Sequence, residues 1–113
     1  MKRLTLALTL LLIMLWTAGA QSWIRTNQLG YLPNTVKVAV YISQNPGAAQ
    51  DFTVCDALTD KVVFKGKATL YDGAVWGMAS AARLDFTGLT VPGGFYISYG
   101  NTHSATFRID AGV

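Results

Sequence analysis

For carboxylate, imidazole or thiol chemistry this sequence offers six aspartates, one histidine and one cysteine, with no glutamate. The acids are Asp51, Asp56, Asp60, Asp72, Asp85 and Asp110. General acid–base catalysis needs two groups whose surroundings push their pKa values apart. Asp56, Asp60 and Asp72 instead fall in or beside runs of turn formers, where an aspartate bonds its own backbone. Asp85 falls on the polar side of an alternating segment. These are expected to be solvated turn and surface acids. His103 follows Gly100-Asn101-Thr102, and no serine or cysteine triad frames it. A metal site needs three or four ligands at workable spacing, and none is found; carboxylate-rich calcium loops are also absent. Gly93-Gly94 sits at a strand corner rather than before a helix, so it is no phosphate loop. Cys55 cannot form an internal disulfide. With no Lys, Arg or His beside it to lower its pKa, it is expected to be a small buried hydrophobe.

Aromatic rings are the remaining candidates. Trp23, Tyr31, Tyr41, Tyr71, Trp76, Tyr96 and Tyr99 are numerous for 113 residues. A flat row of them would suit stacking on sugar. The core of a small domain wants the same rings for packing, and that use is favoured here.

The elements that must position these residues read as strand after strand. Val36, Val38, Val40 and Ile42 alternate with Lys37, Ala39, Tyr41 and Ser43, a period of two over residues 36–43. Asn45-Pro46-Gly47 breaks that run. Residues 51–55 and 61–66 form a hairpin around the turn formers 56–60, with Phe52 and Val54 sharing a face. Asp72-Gly73 marks a further turn. Residues 76–82, with Met78 and three alanines, are expected to be irregular or a weak strand. Leu84 and Phe86 alternate with Arg83 and Asp85. After the corner at Pro92-Gly93-Gly94, Phe95, Ile97 and Tyr99 alternate with Tyr96 and Ser98. Residues 100–102 turn, and 105–109 close the set. Seven or eight short strands at this spacing, without an amphipathic helix, predict an all-β, immunoglobulin-like β-sandwich.

Ahead of the strands, Lys2 and Arg3, an apolar run over residues 4–16 and Ala18-Gly19-Ala20 read as a signal peptide, 1–20, cleaved after Ala20. The apolar run is shorter than the about 20 residues a membrane span needs. The expected product is therefore exported, periplasmic or extracellular, with no membrane attachment after cleavage. Without Lys2 and Arg3, seven scattered basic residues face the six acids. That is no nucleic-acid footprint. The mature chain, about 90 residues, is long enough for one core and too short for a second, large one. The sandwich is placed at 21–109, and 110–113 as the start of a linker.

One stretch is more specific than the rest. Asn27, Gln28, Leu29, Gly30, Tyr31 and Pro33, followed by Lys37, Ala39 and Val40, form N-Q-L-G-Y-x-P and K-x-A-V. Here Gly30 permits positive φ, and Pro33 fixes a corner. The stretch resembles the opening of the immunoglobulin-like domain that precedes the catalytic domain of bacterial glycoside hydrolase family 9 enzymes, mostly cellulases. Asp56-Ala57-x-Thr59-Asp60-Lys61-Val62-Val63 resembles the family's D-A-x-T-G-K-V-V hairpin. Residues 85–96 resemble its D-F-S-x-L-T-x-P-G-x-Y-Y segment, and 105–109 its last strand. Phe95 stands where the family usually has tyrosine, which would cost a tyrosine-corner hydrogen bond. Asp110-Ala111-Gly112 matches three letters of a catalytic Asp-Ala-Gly-Asp motif, but Val113 stands in place of the second acid. Glycosidases of this kind need two carboxyl groups.

The resemblance implies an accessory, stabilising domain of a secreted cellulase, with no catalytic residue or cofactor of its own. It implies an (α/α)6 catalytic barrel in cis as partner, and β-1,4-glucan as the parent's substrate, hydrolysed with inversion. Calcium would belong to that barrel. Asn27, Gln28, Gly30, Tyr31 and Pro33 are the expected interdomain contact, on position alone. The alternatives are a free-standing carbohydrate-binding module that holds β-glucan, and an adhesion sandwich.

Overall fold

In the computed structural model, residues 21–45, 50–71 and 79–113 are described. The leader (1–20), the Pro46-Gly47 break, the Asp72-Gly73 turn, Trp76 and Met78 lie outside them. Among the described residues there is no helix; nine strands run in the order β1 Ser22–Arg25, β2 Val38–Ser43, β3 Asp51–Asp56, β4 Val62–Lys67, β5 Thr69–Leu70, β6 Ser80–Asp85, β7 Gly93–Tyr99, β8 Thr102–His103 and β9 Phe107–Ile109.

They form two antiparallel sheets, β1-β2-β6-β5 and β4-β3-β7-β8, with β9 also on β7. This is the A-B-E-D and C′-C-F-G arrangement of an immunoglobulin-like sandwich. Two of the strands are only two residues long. A turn at Gly100-Asn101 joins β7 to β8, with Gly100 at φ 57 in the first central position, where glycine is needed. Thr102, expected in that turn, is already paired with Tyr99.

Three sequence expectations are corrected. The run expected from residue 36 begins as a strand only at Val38. Residues 80–82, expected to be irregular or a weak strand, are the first half of β6, which pairs with β2 along its whole length and with β5 at Ala82 and Arg83. Their small side chains hid a central strand, because the alternation that betrays one carries little hydrophobic contrast when every residue is small. The closing strand is shorter than 105–109, since Ser104 bonds back to Ile97 and Ala105 precedes the pairing.

Phe52, Val54, Leu84, Phe86, Ile97 and Ile109 are fully enclosed between the sheets. Each such side chain contributes on the order of 1.5–3 kcal/mol through burial. Phe52 and Val54 share the inner face as expected, and Cys55 is buried on the other side of β3, outside this cluster. The inner face of β2 is not the valine face. Lys37, Ala39 and Tyr41 point inward while Val36 is 69% exposed. Ala39 joins the buried cluster between the sheets, and Lys37 finds carbonyl partners, as described below.

Candidate functional site

The β1–β2 connection leaves the β1-β2-β6-β5 sheet, touches β9 of the other sheet at Tyr31 and returns to β2. After β1 the chain turns at residues 27–30. Asn27 Oδ1 accepts from Leu29 N at 3.0 Å, and Asn27 O accepts from Gly30 N at 3.1 Å. Asparagine first and glycine fourth is a common signature of such a turn. Gly30 sits at φ 97; a Cβ there would lie 2.6 Å from Val113 Cγ1 and 2.8 Å from Arg108 O. Only glycine fits.

Tyr31 follows and makes a parallel bridge with Ile109 of β9. Its N–H donates to Arg108 O at 2.9 Å, and its carbonyl accepts from Asp110 N at 3.0 Å. The ring stands edge-on to Phe86 and Phe107, with centroids at 5.0 and 5.5 Å. The hydroxyl accepts from Asn27 N at 2.8 Å and donates to Val38 O at 2.9 Å. Burial pushes the phenol pKa up, against the opposing effect of the Asn27 amide. Phe95 is buried beside Phe107 and makes no such bond, so a hydroxyl closing a corner is found at Tyr31 instead.

Lys37 is 0% exposed. Its Nζ donates to Pro33 O at 2.6 Å and Thr35 O at 2.9 Å. Burial lowers its pKa, and the Asp85 carboxylate opposes that. Its backbone N–H donates to Thr87 Oγ1, and its carbonyl accepts from Phe86 N. Thr87 in turn donates to Asp85 Oδ1 from its hydroxyl (2.6 Å) and its amide (2.9 Å), which hold the Asp85 carboxyl below the usual range. The loop after Tyr31 is thereby tied to the loop after β6.

The expected contact residues divide. Asn27 and Gln28 are exposed and Pro33 is half-buried, whereas Gly30 and Tyr31 are buried and act by shaping the corner. An open groove of about 490 Å³ runs beside them, with Leu29, Leu32, Val36 and Val113 among its lining. Of these only Leu29 belonged to the quoted motif, and none was singled out as a contact. Aliphatic residues in a loop carry no signal until the fold shows that they remain uncovered.

The other chemical candidates have local partners. Asp56 Oδ1 caps the amides of Leu58 and Thr59. Asp60 accepts from Tyr96 Oη at 3.0 Å, and this carboxylate is the main cause that pushes the Tyr96 phenol up to about 12. Asp110 accepts from Gly112 N and Arg108 Nη2, which hold its carboxyl below the usual range. Asp51 is exposed at the start of β3. His103 lies tilted against Tyr96, with ring centroids 5.7 Å apart. Among the described residues no three His, Cys, Asp or Glu side chains group as metal ligands. Tyr31 and Tyr99 are buried; Trp23 and Tyr71 are exposed, at opposite edges of the β1-β2-β6-β5 sheet.

The sandwich order and the corner motif agree with a direct sequence match: residues 19–104 match the family described as the cellulase N-terminal Ig-like domain. The chain belongs to this family. It is similar to the xyloglucan-specific endo-beta-1,4-glucanase BoGH9A of Bacteroides ovatus, at 40% identity over 90 residues, which are 80% of this chain and 15% of that protein. A solved Bacteroides ovatus GH9 structure superposes with a TM-score of 0.63 at 35% identity, covering 77% of this chain and 15% of its own. A metagenome-derived glycoside hydrolase family 9 endoglucanase superposes with a TM-score of 0.64 at 32% identity, covering 81% and 18%. The chain thus spans less than a fifth of these relatives, the N-terminal part that carries their Ig-like domain. Against the family's hairpin pattern, Asp60 takes the glycine position and adopts φ 60, the backbone that glycine would favour.

Proposed function

We propose that this sandwich is an accessory domain that docks against and stabilises a glycoside hydrolase family 9 catalytic barrel in cis, within an exported enzyme of β-1,4-glucan breakdown. One observation carries the reading. Residues 19–104 match the cellulase N-terminal Ig-like domain, and the chain covers only 15% of the Bacteroides ovatus glucanase it resembles, so the relatives carry this domain joined to a much longer remainder. The corner motif leaves an apolar groove lined by Leu29, Leu32, Val36 and Val113 as the surface on which such a partner would rest. Xyloglucan, named for the Bacteroides ovatus relative, is the first substrate to assay on a full-length parent. The domain is assigned no catalytic group and no cofactor, and calcium is assigned to the barrel. Export rests on the residue 1–20 pattern; among the described residues no helix is long and apolar enough to cross a membrane.

The test fuses the full chain, at Val113, to the unmatched remainder of the Bacteroides ovatus relative. The fused remainder should melt several degrees above the remainder alone. An unchanged Tm would sink the docking role. Retention of the 113-residue chain on insoluble cellulose would favour a binding module in its place. Trp23 and Tyr71, at opposite sheet edges, give that alternative no contiguous row of rings.

A further inference from the structure

The expected cleavage after Ala20 would leave Gln21 as the first residue of the exported chain. An amino-terminal glutamine carries its own electrophile. The freed α-amine lies within reach of the side-chain carboxamide of the same residue, and a ring of unstrained size can close. The nitrogen lone pair attacks Cδ, the Cδ–Nε2 bond breaks, and Nε2 leaves as ammonia, taking the proton that the amine sheds. No second reactant is needed. Asparagine, one methylene shorter, would have to close a strained ring and stays open.

Gln21 is exposed and directly precedes β1, the edge strand of the β1-β2-β6-β5 sheet. Its backbone is pinned twice by one residue. Gln21 N donates to Gln44 Oε1 at 3.2 Å, and Gln21 O accepts from Gln44 N at 3.0 Å. The exposed side chain leaves room for the ring. The ring nitrogen is an amide with one N–H and no charge, as Gln21 N is before cleavage. The Gln44 carboxamide therefore meets the same kind of donor in both. An open amine, with its pKa of about 7.7–8.0, would instead be largely an ammonium at neutral pH. Closure removes that terminal charge.

What depends on this end is the strand behind it. β1 is four residues long. Its Ile24 belongs to the buried core, and Ser22 bonds Ser43 across the strand pair. Chain ends fray and are trimmed unless tied down. Exopeptidases that work from the amino end need a free α-amine, and an edge strand is held by one neighbour alone. A closed and seated first residue protects both the pairing and Ile24.

We propose that Gln21 is a modification site: in the exported protein it closes to pyroglutamate with loss of ammonia, and the lactam N–H donates to Gln44 Oε1 as a cap on β1. The inference rests on the export proposed above and on cleavage after Ala20, and adds to them a covalent step and the residue that receives its product.

To test it, the full chain, leader included, is expressed in a host that exports it. The exported product is held at about pH 8, where much of an α-amine is neutral, and its intact mass is followed. The product should start at Gln21, weigh one ammonia less than the open 21–113 chain and resist stepwise degradation from the amino end. Gln21→Asn should keep its full mass and remain degradable. If the chain starts at Gln21 but keeps its ammonia, the inference is overturned while the cleavage stands. If the leader is retained or cut elsewhere, cleavage and inference fall together. The seat on Gln44 is read separately, from the Gln44 side-chain amide signals by NMR between about pH 7 and 9. They should stay fixed in the closed wild type and shift in Gln21→Asn as its α-amine titrates. A shift in the wild type would mean an open amine, and no shift in Gln21→Asn would mean no contact; either result overturns the proposal.

Discussion

Gly30 and Tyr31 show how much a single position can carry here. Replacing Gly30 with alanine sets a Cβ 2.8 Å from a backbone oxygen, which cannot rotate away, and does so at φ 97. Gly30→Ala should lose about 2 kcal/mol of stability by denaturant melt, within the usual range for strain at a special backbone position. Tyr31→Phe keeps both edge-on ring contacts but strips the Asn27 amide and the Val38 carbonyl of their partner. It should cost about 1 kcal/mol for the lost part-buried hydrogen bonds. Tyr96 gives a spectroscopic handle. Its phenol is held protonated to about 12 against an ordinary value of 10.0. Because the folded pKa is the higher one, its contribution to stability is complete below pH 10.0 and is lost as pH rises toward about 12. Asp60→Gly removes the main cause of the shift and also relieves the positive φ of Asp60. An absorbance titration should show the Tyr96 transition moving back toward 10.0, with equal or greater stability at neutral pH.

Among the elements, the turn after β6 is the joint between the sheet and the corner loop. Thr87 accepts from Lys37 N at its hydroxyl and donates to Asp85 from both hydroxyl and amide, so one residue ties the segment entering β2 to the end of β6. Thr87→Val leaves the Lys37 amide without an acceptor and Asp85 without its hydroxyl donor. The wild-type Asp85 pKa lies below its ordinary 3.8. A depressed carboxylate stabilises the fold above the unfolded value, and that share is lost as pH falls through the folded one. In Thr87→Val the Asp85 shift should shrink, so the stability lost on acidification below pH 3.8 should be smaller than in wild type. Carboxylate chemical shifts followed against pH would check it. The exposed pairs Arg83–Asp85 and Arg108–Asp110 are expected to add little, as surface ion pairs do.

For the whole molecule, the division of labour is by end and by layer. The layer between the sheets holds Phe52, Phe86, Ile97 and Ile109, which stabilise the fold, and the end with the β1–β2 corner exposes Leu29, Leu32, Val36 and Val113. The unfused chain should therefore bind a hydrophobic dye such as ANS at that end. Leu29→Asp with Val36→Asp should reduce the fluorescence gain without changing the melt. A gain untouched by these changes would mean that the apolar surface is elsewhere.

The sequence was sufficient for the strand period, most turn positions and family membership, because each is written in residues close together in the chain. Asn27, Gly30, Tyr31 and Pro33 mark a corner through local backbone demands, and the alternation at residues 51–55 and 95–99 named its own inner face correctly. In β2 the period was legible and the side was not. Valines alternate with Lys37, Ala39 and Tyr41, and hydrophobicity alone would bury the valines. The fold turns Lys37, Ala39 and Tyr41 inward, with the ammonium received by the nearby Pro33 and Thr35 carbonyls, and buries Ile42 on the opposite face. The core that Ala39 and Tyr41 join is assembled from separate segments. The same holds for the groove. Leu29, Val36 and Val113 carry no shared signal in the sequence, and only the fold brings the chain's distant segments together to line it.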